Sequence, residues 1–185
     1  MNIAAYLYDN YYETELCIPT LMFKEDDENN VIMISSEQDI VKCVDGKRIL
    51  IDKKISQINH EEIDVLIIPG GSPIIKDDII KLIQQCEKNG AVIGGICGGV
   101  EYIAHAGILS GRRYTSHQDK SYEYLSKNSI HTHSMYESDK NVVTAKPEAY
   151  LEFALELYHL AGLDVGPVEG YLEWFKSPFC WKCKD

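Results

Sequence analysis

A doubly wound α/β sandwich is the architecture this sequence predicts, and three observations carry it. Short apolar runs alternate with helix-length segments along most of the chain. The clearest run, Asp64 to Ile68, is continuous rather than alternating and closes on Pro69-Gly70-Gly71, as in a parallel strand covered on both faces. The length, 185 residues, allows one domain and a short appendage, divided here as residues 1–162 and a C-terminal extension, 163–185.

Asn2 to Tyr8 reads as a buried strand, and Tyr12 to Phe23, with Leu16, Pro19, Thr20 and Phe23 at helical spacing, as the helix after it. Glu25-Asp26-Asp27-Glu28 is a solvated helix end and loop. Val31 to Ser35 is a second strand. Ile40 to Val44 and Arg48 to Ile51, split by Asp45-Gly46, form a hairpin. After the strand at Asp64 to Ile68, Asp77 to Asn89 is a helix with Ile79, Ile80, Leu82, Ile83 and Cys86 on one side and Gly90 at its end. Ala91 to Ile96 returns to strand, and Gly98 to Ala106 is a helix stopped by Gly107. Further on lie a strand at Arg112 to Thr115, a helix near Asp119 to Ser126, a strand at Asn141 to Ala145 and a helix from Pro147 to Ala161.

Eighteen basic against 29 acidic residues give a net charge of −11, which repels phosphate backbones and anionic lipid, so neither nucleic acid nor membrane is expected as a partner. The chain start lacks the pattern of a signal peptide and no apolar run reaches the roughly 18 residues of a membrane span. Six cysteines are too few for a disulfide scaffold. Reduced thiols and a cytoplasmic protein follow as expectations.

In doubly wound folds chemistry gathers at the carboxyl ends of parallel strands, here Asp9 to Glu15, Pro69 to Ser72 and Gly95 to Gly99. Gly94-Gly95-Ile96-Cys97-Gly98-Gly99 joins a strand to a helix. A nucleophile at such a turn stands exposed above the sheet, with the glycines keeping clear of it and of a substrate. The helix N-terminus should lower the thiol pKa. The Gly98 N–H, and a second donor from Gly70-Gly71, notably Gly71, could hold an oxyanion. The alternative is a small buried residue in a tight turn. Cys17 and Cys86 on helix faces and Cys43 in a strand read as structural.

The stretches GGICGGVEYIAHAGILSGRRYTSH (94–117), LIIPGG (66–71) and ETELCIP (13–19) resemble the ThiJ/PfpI family, also called the DJ-one superfamily, over Asn2 to about Leu160. The resemblance implies a flavodoxin-like sandwich, a homodimer and an elbow cysteine, which falls on Cys97. It places the family's acidic residue, hydrogen-bonded to the sulfur, on Glu15, and its nearby histidine on His117. A carboxylic acid beside a thiolate is pushed toward its protonated form, and an imidazole can move protons, so the roles are coherent. A first-turn dipole partner for Glu15 and a polar loop residue for His117 stay open as alternatives. The protease branch carries histidine directly after the cysteine, where this chain has Gly98. The glutamine amidotransferases that share the fold carry a His-x-Glu pair, and no histidine after Cys97 is followed so.

The implied function is cofactor-independent, metal-free chemistry on small carbonyl or acyl molecules: hydrolase, amidase, glyoxalase-like or deglycase-like. Cys97 is the nucleophile, Glu15 and His117 move protons, and the Gly71 and Gly98 amides hold the oxyanion. A redox-sensing or stress-protective protein that oxidises Cys97 is the alternative, and an amidotransferase-like subunit a further one. Loops near Tyr11, Tyr12, Ser72, His117 and Glu148 should select the substrate. The aromatic run from Gly170 to Phe179 should dock on the domain or a partner. Cys180-Trp181-Lys182-Cys183 is a C-x-x-C that could be a redox pair, half a metal site or neither.

Overall fold

The computed structural model describes residues 1–117, 121–164 and Gly170. The aromatic run beyond Gly170 and the Cys180/Cys183 pair lie outside these residues. In chain order the elements are β1 (Asn2–Tyr6), α1 (Thr14–Lys24), β2 (Asn30–Ser35), β3 (Ile40–Lys42), β4 (Arg48–Leu50), β5 (Lys53–Lys54), β6 (Val65–Ile68), α2 (Asp77–Lys88), β7 (Val92–Ile96), α3 (Gly99–His105), β8 (Arg113–Tyr114), β9 (Ile130–His131), β10 (Tyr136–Asp139), β11 (Val142–Ala145) and α4 (Tyr150–Leu160), the last entered through a 3-10 turn at Pro147–Ala149.

Seven strands form one sheet in the order β10-β11-β7-β6-β1-β2-β5. Every pairing is parallel except β10 with β11 at one edge. α1 packs with α4 on one face, and α2 with α3 on the other. This is the doubly wound α/β sandwich that the alternation of apolar runs implies.

The core sits where the continuous runs place it. Val65 to Ile68 are all fully buried, and a side chain of this kind contributes about 2 kcal/mol when removed from water. α2 buries Ile79, Leu82, Ile83 and Cys86, an i, i+3, i+4, i+7 stripe, with Asp77 and Asp78 at its N-terminus and Lys88 in its last turn to complement the dipole. β7 carries neighbouring glycines that serve both layers. A Cβ on Gly94 would strike Leu157 and Phe153 of α4 at 2.6 and 2.8 Å, while one on Gly95 would meet Ile103 of α3 at 2.6 Å.

The structure departs from the sequence reading at one expected helix and at strands the reading does not contain, β5, β9 and β10. No helix occupies residues 121–126, which form turns, with residues 118–120 outside the description. Tyr114 explains this locally: its hydroxyl accepts from the Tyr122 N–H at 2.7 Å and its ring tilts against that of Tyr122, so the segment folds back on β8. Of these strands, β10 lies at the sheet edge, and its Tyr-Glu-Ser-Asp sequence lacks an apolar run because it pairs on one side only.

Strand order reverses between β1 and β6, so a crevice opens at their carboxyl ends. Its floor is tied by an antiparallel bridge between Tyr11 and Gly71 and by Tyr12 N–H donating to Gly70 O at 2.9 Å. The β3–β4 hairpin braces the same loop, through Asn10 N–H to Lys42 O at 2.8 Å and Val44 N–H to Tyr11 O at 3.0 Å.

Candidate active site

Cys97 follows β7 directly and has φ 55°, a left-handed conformation rare for a residue with a side chain. Its N–H still donates to Ala145 O at 2.9 Å, which fastens the turn to β11. The next two glycines permit this turn by close approach. A Cβ on Gly98 would sit 2.6 Å from Gly71 O, and one on Gly99 would fall inside the radius of Ile68 O. The glycines after the cysteine therefore clear the backbone of the β6 loop, and Gly94 and Gly95 clear the helices, where the sequence had suggested room for a substrate.

Glu15 projects from the first turn of α1 and is only 4% exposed. Its Oε2 accepts the Gly70 N–H at 2.6 Å, and its carboxyl hydrogen-bonds the Cys97 thiol. Gly70 lies against both: a Cβ there would be 2.5 Å from Glu15 Oε2 and 2.9 Å from Cys97 Sγ. Burial raises the Glu15 carboxyl to about 7, against the opposing pull of the Gly70 N–H and the thiol. Burial, then the adjoining Glu15 charge, pushes the Cys97 thiol up to about 12, although the Gly98 N–H donates to its sulfur. This reverses the expected lowering by the helix N-terminus: Cys97 is 6% exposed, and loss of water outweighs one amide and a short helix. Near neutrality the thiol therefore keeps its proton while the carboxyl is only partly ionised, and the two groups titrate as an interacting pair.

His117 is delivered by the segment after β8. Thr115 N–H donates to Thr144 Oγ1 at 3.0 Å, Thr115 Oγ1 donates to Ser134 O at 2.7 Å, and Ser116 Oγ bonds His131 Nε2 at 3.2 Å. These anchors bring His117 to the wall of a cavity of about 620 Å³ that also holds Glu15, Cys97 and Tyr12. A second cavity of about 550 Å³ shares Tyr12, Cys97 and His117 and adds Gly71 and Gly98. All five residues singled out from the sequence, Glu15, Gly71, Cys97, Gly98 and His117, therefore meet at one crevice. Glu148 is exposed yet close enough for its charge to raise both Glu15 and Cys97. Tyr11 turns away, fully buried with its hydroxyl donating to Glu13.

The sequence reading allows Cys17, Cys43 and Cys86 a core or half-exposed structural role; Cys43 and Cys86 are buried, whereas Cys17 is exposed and lines the larger cavity. The signal was present: at 100° per residue, Cys17 shares an arc of about 160° with Thr14, Glu15 and Ile18, all cavity residues. Brief alkylation at neutral pH should label Cys17 well before Cys43 or Cys86, read by peptide mass spectrometry. Equal labelling of Cys17 and Cys86 would contradict this placement. Glu101, Tyr122, Tyr150 and Leu151 are further wall residues that no motif indicated.

Among the described residues no group of three His, Cys, Asp or Glu side chains is placed to hold a metal ion, and no helix is long and apolar enough to cross a membrane. The model of the DJ-1/PfpI family matches residues 1–160. The chain is similar to the uncharacterized protease YoaZ of Bacillus subtilis, 30% identical over 83% of this chain and 76% of that one. It is also similar to the glutathione-independent glyoxalase DJR-1.2 of Caenorhabditis elegans, 31% identical over 69% and 70% of the two chains. Among solved structures, the DJ-1 superfamily protein Atu0886 of Agrobacterium tumefaciens shares the fold with TM-score 0.85 at 20% identity, over 95% of this chain and 97% of the other.

Proposed function

Because the chain belongs to the DJ-1/PfpI family, we propose that it is an enzyme acting without a cofactor on small carbonyl or acyl compounds, with Cys97 as nucleophile. The observation that carries this reading is the Cys97–Glu15 pair, buried together at a positive-φ elbow and opening on a cavity that holds His117. The thiol proton passes to the ionised form of Glu15 as the sulfur attacks the carbonyl carbon. Negative charge then moves from sulfur to the carbonyl oxygen. The Gly98 N–H, already aimed at the sulfur, and the Gly71 amide receive it. His117 carries protons to and from the departing group and the attacking water. Hydrolase, amidase, glyoxalase-like and deglycase-like outcomes all use this start. The working unit of the proposal is a cytoplasmic homodimer.

Cys97→Ala should abolish turnover of every member of a panel containing methylglyoxal, an aryl ester and a small amide, with circular dichroism and thermal midpoint preserved. Residual turnover in the folded variant would refute the assignment.

A second reading rests on the raised Glu15 carboxyl. A carboxylic acid still partly protonated at neutral pH can donate to the oxygen of an oxidised sulfur, the arrangement of a peroxide sensor. A stable gain of two oxygens on Cys97 after mild peroxide, together with no turnover on the panel, would favour that reading.

A further inference from the structure

The walls of the larger cavity are of two kinds. Tyr12, Glu15, Cys97 and His117 surround the reacting sulfur. The rest of the wall comes from two helical triads, Thr14, Cys17 and Ile18 on α1 and Pro147, Tyr150 and Leu151 at the entry of α4. Each triad has the i, i+3, i+4 spacing that sets three side chains on one face. α1 and α4 pack together on one side of the sheet. Near their C-terminal ends they close on each other, with the Phe23 and Tyr158 rings 5.4 Å apart. Between their N-terminal turns the cavity remains.

None of the six triad residues carries a formal charge. The Cys17 thiol donates to Thr14 O at 3.6 Å, within its own helix, so its sulfur adds a small apolar surface to the wall. Ile18 is half-buried and Tyr150 is 37% exposed, apolar surface that folding leaves uncovered beside the nucleophile. At about 620 Å³ the cavity falls in the range that holds drug-sized ligands, far larger than a two-carbon or three-carbon aldehyde. From i to i+4 a helix advances about 6 Å, which accommodates about five methylene groups of an extended chain laid along the triads.

Building on the proposed function, we infer that the substrate is a medium-chain acyl compound, with an unbranched hydrocarbon chain of about six carbons including the carbonyl. The chain lies between the two triads while its carbonyl carbon meets Cys97. Each methylene taken out of water adds to binding until the groove is filled, so the groove sets a preference for chain length. Cys17 is a specificity-determining residue: its small side chain leaves space for the chain where a larger one would occupy it.

The test measures the groove without turnover and so separates this inference from the reading it rests on. Methyl, propyl and hexyl methanethiosulfonates are reacted with the full chain, and modification is read on the Cys97 peptide by mass spectrometry and normalised to free cysteine. Each added methylene should raise the rate about twofold or more, so that the hexyl reagent outpaces the methyl one at least about 30-fold. Cys17→Phe, a change at an exposed position, should bring that ratio below about fivefold by filling the groove. Kinetics on acetyl, butanoyl and hexanoyl aryl esters supply the second arm. There kcat/KM should rise in that order, chiefly through KM, and a decanoyl ester should gain nothing further. Equal normalised rates for the three reagents, no modification of Cys97 by any of them, or an unchanged ratio in folded Cys17→Phe overturns the inference even if Cys97-dependent turnover is found. A steep rise with chain length that Cys17→Phe removes, with no turnover of any ester, upholds the acyl groove and refutes the enzymatic reading.

Discussion

Glu15→Gln is expected to stabilise the protein above pH 7 by about 3 kcal/mol while lowering turnover at least about 100-fold. Burial raises this carboxyl from 4.5 to about 7, so between those values the folded chain keeps a proton that the unfolded chain has released. Stability linked to Glu15 is therefore complete below about pH 4.5, falls as pH rises toward 7, and is flat beyond. Glutamine stays neutral throughout and its side-chain oxygen still accepts the Gly70 N–H, so the fall disappears. The same amide cannot take the proton from Cys97, which is why activity drops while stability rises. Urea midpoints at pH 4.5, 6 and 8 check the stability arm. Parallel pH slopes in the two proteins would mean that Glu15 is not the buried acid described here. A stabilised variant with full activity would remove Glu15 from the mechanism.

Gly99→Ala carries the largest expected loss of stability, about 3 kcal/mol or more. The new methyl group would overlap Ile68 O and approach Pro69 O at 2.9 Å, both main-chain atoms that cannot swing aside. α3 would have to lift from the end of β6, taking the elbow with it. Gly90→Ala is the control, with φ +80° and nothing within 4 Å of the added carbon, and should cost about 1–2 kcal/mol through backbone strain alone. Urea midpoints at constant m-value measure both. Comparable losses in the two variants would show that close approach at Gly99 is not what holds the turn.

Most of this frame is legible in the sequence because burial on both faces leaves a local mark. Val65 to Ile68 and Ala91 to Ile96 carry no polar side chain, and the structure buries β6 and β7 within them. The elbow is legible for a similar reason, since strand, glycines, cysteine and helix are contiguous. Elements whose partners are remote leave no such mark. β9 is only two residues long, β10 is short and polar, and the turn at residues 121–126 depends on Tyr114 reaching across from β8. Glu15 and His117 lie 82 residues before and 20 residues after Cys97 in the sequence, so the family resemblance, not local pattern, was needed to pair them with it. The protonation balance departs from the sequence expectation because a helix terminus is visible in sequence and the depth of burial is not.

The paired glycines of β7 have a consequence for descent. Gly98 and Gly99 fit the elbow against neighbouring main chain and the β7 glycines seat the side chains of α3 and α4 behind it, whereas Ile18, Glu101, Tyr122, Tyr150 and Leu151 line the space in front of it. Lineages can therefore exchange the wall residues one at a time without disturbing the reactive turn. That separation lets one inherited scaffold be turned to new substrates, and it accords with relatives at similar identity carrying names as different as protease, glyoxalase and deglycase.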